Sequence, residues 1–198
     1  MKGGIDTEIE MYGRMMIALE ELESCREFAA LIPEVRTNMV YARPSARTTK
    51  DVLGIDGRIT VIGGMPRAAG RPRYGISSHM ARLVLEIRKH DPSVRAGINF
   101  ANSPHLSAWL DHYCRERGWT FSAIDRGKEP VEIREEEGAS MQWKAAEAVR
   151  AAGGRVPRII CDAGGPGKEP VCVIVGSDPV GIAQDLCEIA RLHSRQKK

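Results

Sequence analysis

Short apolar runs bounded by Gly, Pro or Asp alternate along this chain with stretches of helical spacing, and that alternation restricts the fold more than any other feature. Strands are read at Asn38 to Ala42, Arg58 to Ile62, Val94 to Phe100, Thr120 to Ile124, Arg158 to Cys161 and Val171 to Val175. Between and around them lie amphipathic helices. Tyr12, Met15, Met16, Leu19 and Leu22 recur at helical spacing behind a Thr7-x-x-Glu10 capping box, and a shorter piece carrying Phe28, Leu31 and Ile32 stops at Pro33. Ser77 or Ser78 caps a helix with Leu83, Val84, Leu85 and Ile87 on its apolar side, ended by Asp91-Pro92. Ser103-Pro104 opens a helix with Leu106, Trp109, Leu110 and Tyr113 on one face, and Gly118 ends it. Ser140 begins another that runs through Trp143, Ala146 and Val149 to Gly153-Gly154, and Asp178-Pro179 starts the last, which frays into a basic tail. Three stretches are read as irregular: a helical turn over Thr49 to Leu53, a long loop from Gly63-Gly64 to Gly75, and a charged loop from Asp125 to Gly138. Elements alternating in this way make a layered α/β domain. The pattern does not distinguish a parallel from a mixed sheet.

With 198 residues and 42% hydrophobic content, the chain can bury one sizeable core, and no linker divides it. It is therefore read as a single domain over 1–198, with an N-terminal helical region at about 7–32 and a core at about 33–193. A net charge of +3 suits small anionic ligands. It falls short of the dense basic face of a nucleic-acid binder, and aromatics at 5% leave few stacking platforms for single strands, so no nucleic-acid partner is expected. No apolar run is long enough to span a bilayer and no signal core is present, so a cytoplasmic protein without membrane contact is expected. Five cysteines occur without a C-x-x-C pair and are read as reduced thiols in a reducing compartment.

Chemistry concentrates in two glycine-rich segments. Gly70-Arg-Pro-Arg-Tyr-Gly75 leads into the helix that begins at Ser77 or Ser78, so unpaired N–H groups, the positive end of the helix dipole, Arg71, Arg73 and His79 meet at one point. That combination suits a phosphate or diphosphate, and the same dipole disfavours a charged imidazole at His79. Asp162-Ala-Gly-Gly-Pro-Gly-Lys-Glu-Pro170 links two strands, where glycine lets backbone N–H groups approach an anion. Lys168 supplies a counter-charge there, and Asp162 or Glu169 a magnesium or hydrogen-bond partner. It is not a Walker loop, since Glu169 follows Lys168 and no helix begins there. Arginines at turns, among them Arg36, Arg43, Arg47 and Arg58, can hold phosphates with both arms of the fork. No H-E-x-x-H, nucleophile elbow or Rossmann fingerprint is present.

Leu31-Ile-Pro-Glu-Val-Arg-Thr-Asn38, Asp56-Gly-Arg-Ile59, Gly70-Arg-Pro-Arg-Tyr-Gly75, Ser78-His-Met-Ala-Arg82 and Gly167-Lys-Glu-Pro170 together resemble the ThiN family in order and spacing, over roughly residues 25 to 190. That family comprises thiamine-phosphate synthases, usually fused behind a hydroxymethylpyrimidine (phosphate) kinase, and ligand-binding domains of helix-turn-helix regulators. The resemblance implies a three-layer α/β/α domain with a mixed, largely antiparallel sheet, similar to the class II aldolase and epimerase architecture but without that enzyme's zinc histidines. It implies condensation of hydroxymethylpyrimidine diphosphate with hydroxyethylthiazole phosphate, giving thiamine monophosphate and pyrophosphate, or a sensor that binds thiamine phosphates without turnover. The family's essential arginine and histidine fall on Arg58 and His79. Arg73, Ser77 and Ser78 would complete the anion cradle, and Arg36, Asn38, Asn99, Asp125, Arg126, Lys168 and Glu169 would line the substrate pocket. Magnesium is an expected companion of the diphosphate, and a homodimer is expected by analogy.

Overall fold

A seven-stranded mixed sheet separates two helical layers in the computed structural model, which describes residues 2–135, 139–165 and 167–196. In chain order the helices are α1 (Lys2–Ser24), α2 (His79–Arg88), α3 (Pro104–Glu116), α4 (Val131–Glu135), α5 (Ala139–Ala151) and α6 (Pro179–Gln196). The strands are β1 (Met39–Ala42), β2 (Val52–Ile55), β3 (Ile59–Ile62), β4 (Met65–Ala68), β5 (Pro72–Tyr74), β6 (Ala96–Ala101), β7 (Phe121–Ile124), β8 (Ile159–Asp162) and β9 (Val171–Gly176). The main sheet runs β5-β2-β1-β6-β9-β8-β7, and β3 and β4 form a separate hairpin. Among the described residues only β7 and β8 are parallel neighbours, and α5 makes the crossover that such a pair requires. The other sheet pairs are antiparallel.

Strand alternation sorts the core into two clusters. Met39, Tyr41, Ile159, Cys161 and Ile174 face α1, α3 and α6. Val40, Ala42, Ile160, Val173 and Val175 face α2 and α5. Gly97 on β6 lies close under α2: a Cβ there would lie 2.9 Å from Val84 Cγ2 and 3.2 Å from Met80 Cε. A side chain at this position would hold α2, and with it His79, further out.

Several sequence expectations change. α1 starts at Lys2, so Thr7 and Glu10 lie within the helix and do not cap it. Only Thr49–Asp51 forms a helical turn; Val52 and Leu53 belong to β2, where both are buried. The stretch after Ile62 is a hairpin and not a loop, because Gly63 and Gly64 both adopt positive φ (59° and 75°) and join β3 to β4 in two residues. Pro72 is tolerated in β5 because that strand lies at the sheet edge. The charged stretch after Ile124 contains a 3-10 turn (Arg126–Lys128) and α4, while residues 136–138 of it lie outside the described residues, as does the end of the basic tail. In α5 the buried positions are Lys144, Ala145, Ala148 and Val149, and Ala146 is exposed. Cys161 and Cys172, expected as thiols, are joined across the directly opposed β8–β9 pair, while Cys25, Cys114 and Cys187 are free and buried. No helix among the described residues is long and apolar enough to cross a membrane.

Candidate functional site

The glycine turn before β3 sets the first wall of the site. Asp56-Gly57 closes tightly enough for the Arg58 N–H to donate to the Ile55 carbonyl at 3.1 Å. Arg58 is then left at φ 68°, and Arg36 on the neighbouring loop sits at φ 66°. Among the described residues these are the two non-glycine positions with left-handed backbone, a conformation that costs roughly 1–2 kcal/mol for a residue with a Cβ. Strain of this kind persists where surrounding contacts fix it, and it gathers at binding sites. Here the fixing contacts are visible: Thr37 and Ile59 exchange backbone hydrogen bonds at 3.0 and 2.7 Å, the Ala69 N–H donates to the Arg58 carbonyl at 2.9 Å, and the Arg58 guanidinium donates to the Val35 carbonyl.

Both arginines line a cleft of about 860 Å³ on the α2–α5 side of the sheet. Asn38 and Asn99 form its floor. The Asn99 carboxamide accepts the Asn38 N–H at 2.7 Å and donates to the Arg36 carbonyl at 3.1 Å, and the Asn38 oxygen accepts the Ile55 N–H at 3.2 Å. The two asparagines thus tie β1, β2, β6 and the Arg36 loop together beneath the opening. The turn into α2 brings buried Ser77 and exposed Ser78 to the cleft, and the first residue of α2, the exposed His79, lines it beside them. Ser78 stands at the N-cap position but makes no side-chain cap bond, contrary to the sequence reading; its hydroxyl lies 3.3 Å from His79 Nδ1. The helix-tip N–H groups are therefore not consumed by that hydroxyl.

The opposite wall is a buried ion network. Asp162 Oδ2 accepts from Arg126 Nε at 2.8 Å and pairs with Lys144 Nζ at 3.0 Å, and its Oδ1 accepts the Gly164 N–H at 2.9 Å. Glu129 accepts from Arg126 at 2.9 Å, from the Ser140 hydroxyl at 2.5 Å and from Lys168 at 3.2 Å. Burial pushes the Asp162 carboxyl up, but the charges of Lys144 and Arg126 and the Gly164 N–H outweigh it and hold the group below the usual carboxylate range. Glu129 is also held low, the Ser140 hydroxyl and the Arg126 and Lys168 charges prevailing over burial. Burial drives the Lys144 ammonium below the usual lysine range despite Asp162.

Lys168 and Glu169 belong to the β8–β9 loop, and Glu169 bridges the two walls. Its carboxylate accepts the N–H groups of Glu34 and Val35 at 2.8 and 2.9 Å. The cleft therefore brings together Arg36, Asn38, Arg58, Ser77, Ser78, His79, Asn99, Arg126, Lys168 and Glu169. Arg73 and Asp125 lie outside it: Arg73 pairs with Asp56 at 2.9 Å on the exposed surface, and Asp125 accepts the Gly127 N–H at 2.9 Å. Arg82, one of the arginines noted in the sequence, also lines the cleft, as do Lys144 and Ser140, which the sequence did not single out for it. Among the described residues no three His, Cys, Asp or Glu side chains gather to hold a metal, and Asp162 and Glu169 spend their oxygens on the donors above.

A strained arginine turn, a histidine-bearing helix tip and a glycine loop line one cleft of a layered α/β domain. The profile of the thiamine-phosphate synthase ThiN family matches residues 14–188, and the chain belongs to that family. It is 37% identical over 180 residues to the thiamine-phosphate synthase ThiN of Methanothermobacter thermautotrophicus, covering 91% of this chain and 92% of that one. It is 31% identical over 166 residues to the bifunctional thiamine biosynthesis protein ThiDN of Methanocaldococcus jannaschii, covering 83% of this chain but 37% of that longer protein. Among solved structures, the C-terminal domain of a phosphomethylpyrimidine kinase superposes with a TM-score of 0.84 at 35% identity, covering 93% of this chain and 98% of that one.

Proposed function

We propose that this protein condenses hydroxymethylpyrimidine diphosphate with hydroxyethylthiazole phosphate, yielding thiamine monophosphate and pyrophosphate. The observation that carries the reading is that Arg58 and His79 line one cleft, together with the helix tip beside His79. The reaction forms a C–N bond between the thiazole nitrogen and the pyrimidine methylene and breaks the C–O bond to diphosphate, whose electrons leave with pyrophosphate. Negative charge gathers on the leaving oxygens and positive charge on the methylene. Cations and N–H donors fixed in advance around the leaving group stabilise that separation without reorganising. Arg58, already held in its turn, meets the diphosphate; His79 hydrogen-bonds a leaving or bridging oxygen. The apolar side chains of Met80, Leu83, Val171 and Val173 on the cleft wall give the rings a surface that keeps them aligned for attack. Because both substrates are phosphorylated and do not cross bilayers, the same reading places the reaction in the cytoplasm.

The test mixes both substrates with the purified protein and follows thiamine monophosphate and pyrophosphate. One-to-one product formation is expected, and Arg58→Ala should lower turnover by about 10²–10³-fold, the scale of losing one preorganised charge-stabilising group, while unfolding stays cooperative. Wild-type kinetics in that variant would remove Arg58 from the chemistry. Tight binding of thiamine monophosphate without any turnover would replace the synthase by a sensor of the same ligand.

A further inference from the structure

The reaction needs two anions in one cleft, and the cationic groups come in two sets of different character. One set, Arg36, Arg58 and His79 with the helix tip, stands on turns and at the rim. The other, Arg126, Lys144 and Lys168, stands on the far wall; the side chains of Arg126 and Lys144 are 9% and 4% exposed, and that of Lys168 is 39% exposed. We infer that the Arg126–Lys144–Lys168 wall is a second anion subsite, which takes the monoester phosphate of the thiazole substrate while the rim takes the diphosphate. This assignment rests on the synthase reading above.

Charge and chemistry support it. Lys144 and Lys168 line the cleft beside Arg126, and one carboxylate lies within reach of each ammonium, Asp162 at 3.0 Å from Lys144 and Glu129 at 3.2 Å from Lys168. An ammonium carries three N–H donors. Asp162 takes one from Lys144 at 3.0 Å, and Lys144 lines the cleft, where a phosphate oxygen can accept another. A buried cation facing a cavity is costly until a counter-anion arrives. Burial already weakens the Lys144 hold on its proton, and an arriving dianion strengthens it. Asp162 and Glu129 keep the set in place when the cleft is empty, so the donors are ordered beforehand and binding does not have to order them.

The direction follows from what must leave. Pyrophosphate departs each cycle, and a leaving group is best held by exposed cations from which water can displace it. The thiazole phosphate stays through bond formation and only has to anchor the ring, a task suited to buried, hydrogen-bonded donors. Lys168 also links the subsite to the rim, because its neighbour Glu169 holds the Glu34–Val35 backbone whose carbonyl receives Arg58.

Lys144→Met tests the assignment by steady-state kinetics with each substrate varied in turn. The KM for thiazole phosphate should rise about 10- to 100-fold, the range for losing a charge-assisted hydrogen bond, with the pyrimidine diphosphate KM within about 2-fold of wild type on the same principle. The preference for the phosphorylated thiazole over its free alcohol should fall by the same factor. A rise confined to the diphosphate KM, or an equal loss for phosphate and alcohol, overturns the subsite. Lys168→Met, at a more exposed position, gives the same readout should Lys144→Met fail to fold. If the wild type makes no product, the synthase reading fails by itself. The subsite is then read by calorimetry with thiamine monophosphate and inorganic phosphate, whose affinity must drop in Lys168→Met or the subsite falls too.

Discussion

Replacing Asp162 by Asn tests the ion network that forms the far wall. The carboxylate is 2% exposed and holds two cations, Arg126 at 2.8 Å and Lys144 at 3.0 Å. An amide of equal size removes the negative charge and leaves the two cations side by side in a buried wall. Breaking a buried pair in this way costs about 3–5 kcal/mol, because the stranded charge keeps its desolvation penalty. For a domain of this size, a melting shift of 2–4 °C per kcal/mol converts that to a fall of roughly 6–20 °C. The pH dependence carries a second signature. The folded Asp162 carboxyl titrates below its unfolded value, so the stability it provides is present above the unfolded pKa and is lost as pH falls through the folded one. The wild type should therefore lose stability on acidification more steeply than Asp162→Asn. Adding Lys144→Met to the variant removes one stranded charge and should restore part of the loss. Thermal and urea unfolding followed by circular dichroism, repeated across the acid range, measure all three quantities. A melting temperature within about 2 °C of wild type, below even a single kcal/mol on this scale, would show the network to be water-filled and the energetic reasoning wrong.

Two further perturbations probe how the fold positions the site. Gly97→Ala puts a methyl 2.9 Å from Val84 Cγ2, so about 1–3 kcal/mol of overpacking strain is expected. Because α2 carries His79, turnover should fall by up to about 10²-fold, the scale for displacements near 1 Å; wild-type melting and turnover would refute the close approach. The Cys161–Cys172 link closes a short loop, with a sequence separation of 11, around the glycine segment. Loop-closure entropy assigns it about 2–3 kcal/mol, so reductant should lower the melting temperature by several degrees. Identical melting with and without reductant, together with five titratable thiols in the unreduced protein, would show the link to be absent.

What the sequence made legible and what it hid divide along physical lines. Elements with a local signal are found where read: Ser103 caps α3 through a hydrogen bond from the Leu106 N–H at 3.1 Å, and Asp178 accepts the Gly181 N–H at 3.0 Å at the start of α6. β3 is read as a strand, but its partner β4 and the edge strand β5 were missed because Pro66 and Pro72 carry low strand propensity, although Gly63-Gly64 holds the turn signal. That the sheet is mixed depends on which strands become neighbours, and β6 pairs with β9 across more than seventy residues, a distance no local pattern records. The Cys161–Cys172 link escaped for the same reason. It depends on the β8–β9 register, which places the two cysteines opposite one another.

The site shows the same division more sharply. Arg58 and His79 are legible through short motifs, since a turn and a helix start are local events. Lys144 is not, because a lysine in a helix reads as a solvated residue. Yet Met141, Ala145 and Ala148 place position 144 on the inner face of α5, three residues after the first and four before the last. Taking Trp143, Ala146 and Val149 as the face shifted the helix by about one position and turned Lys144 outward. A charged side chain at an inward position stays there only when something pairs with it. The partner in this fold is Asp162, on a strand that reaches α5 only after the β7–β8 crossover is made. The helical period alone is thus enough to flag such a lysine as inward-facing and paired, provided the apolar face is located before the charge is assigned to solvent.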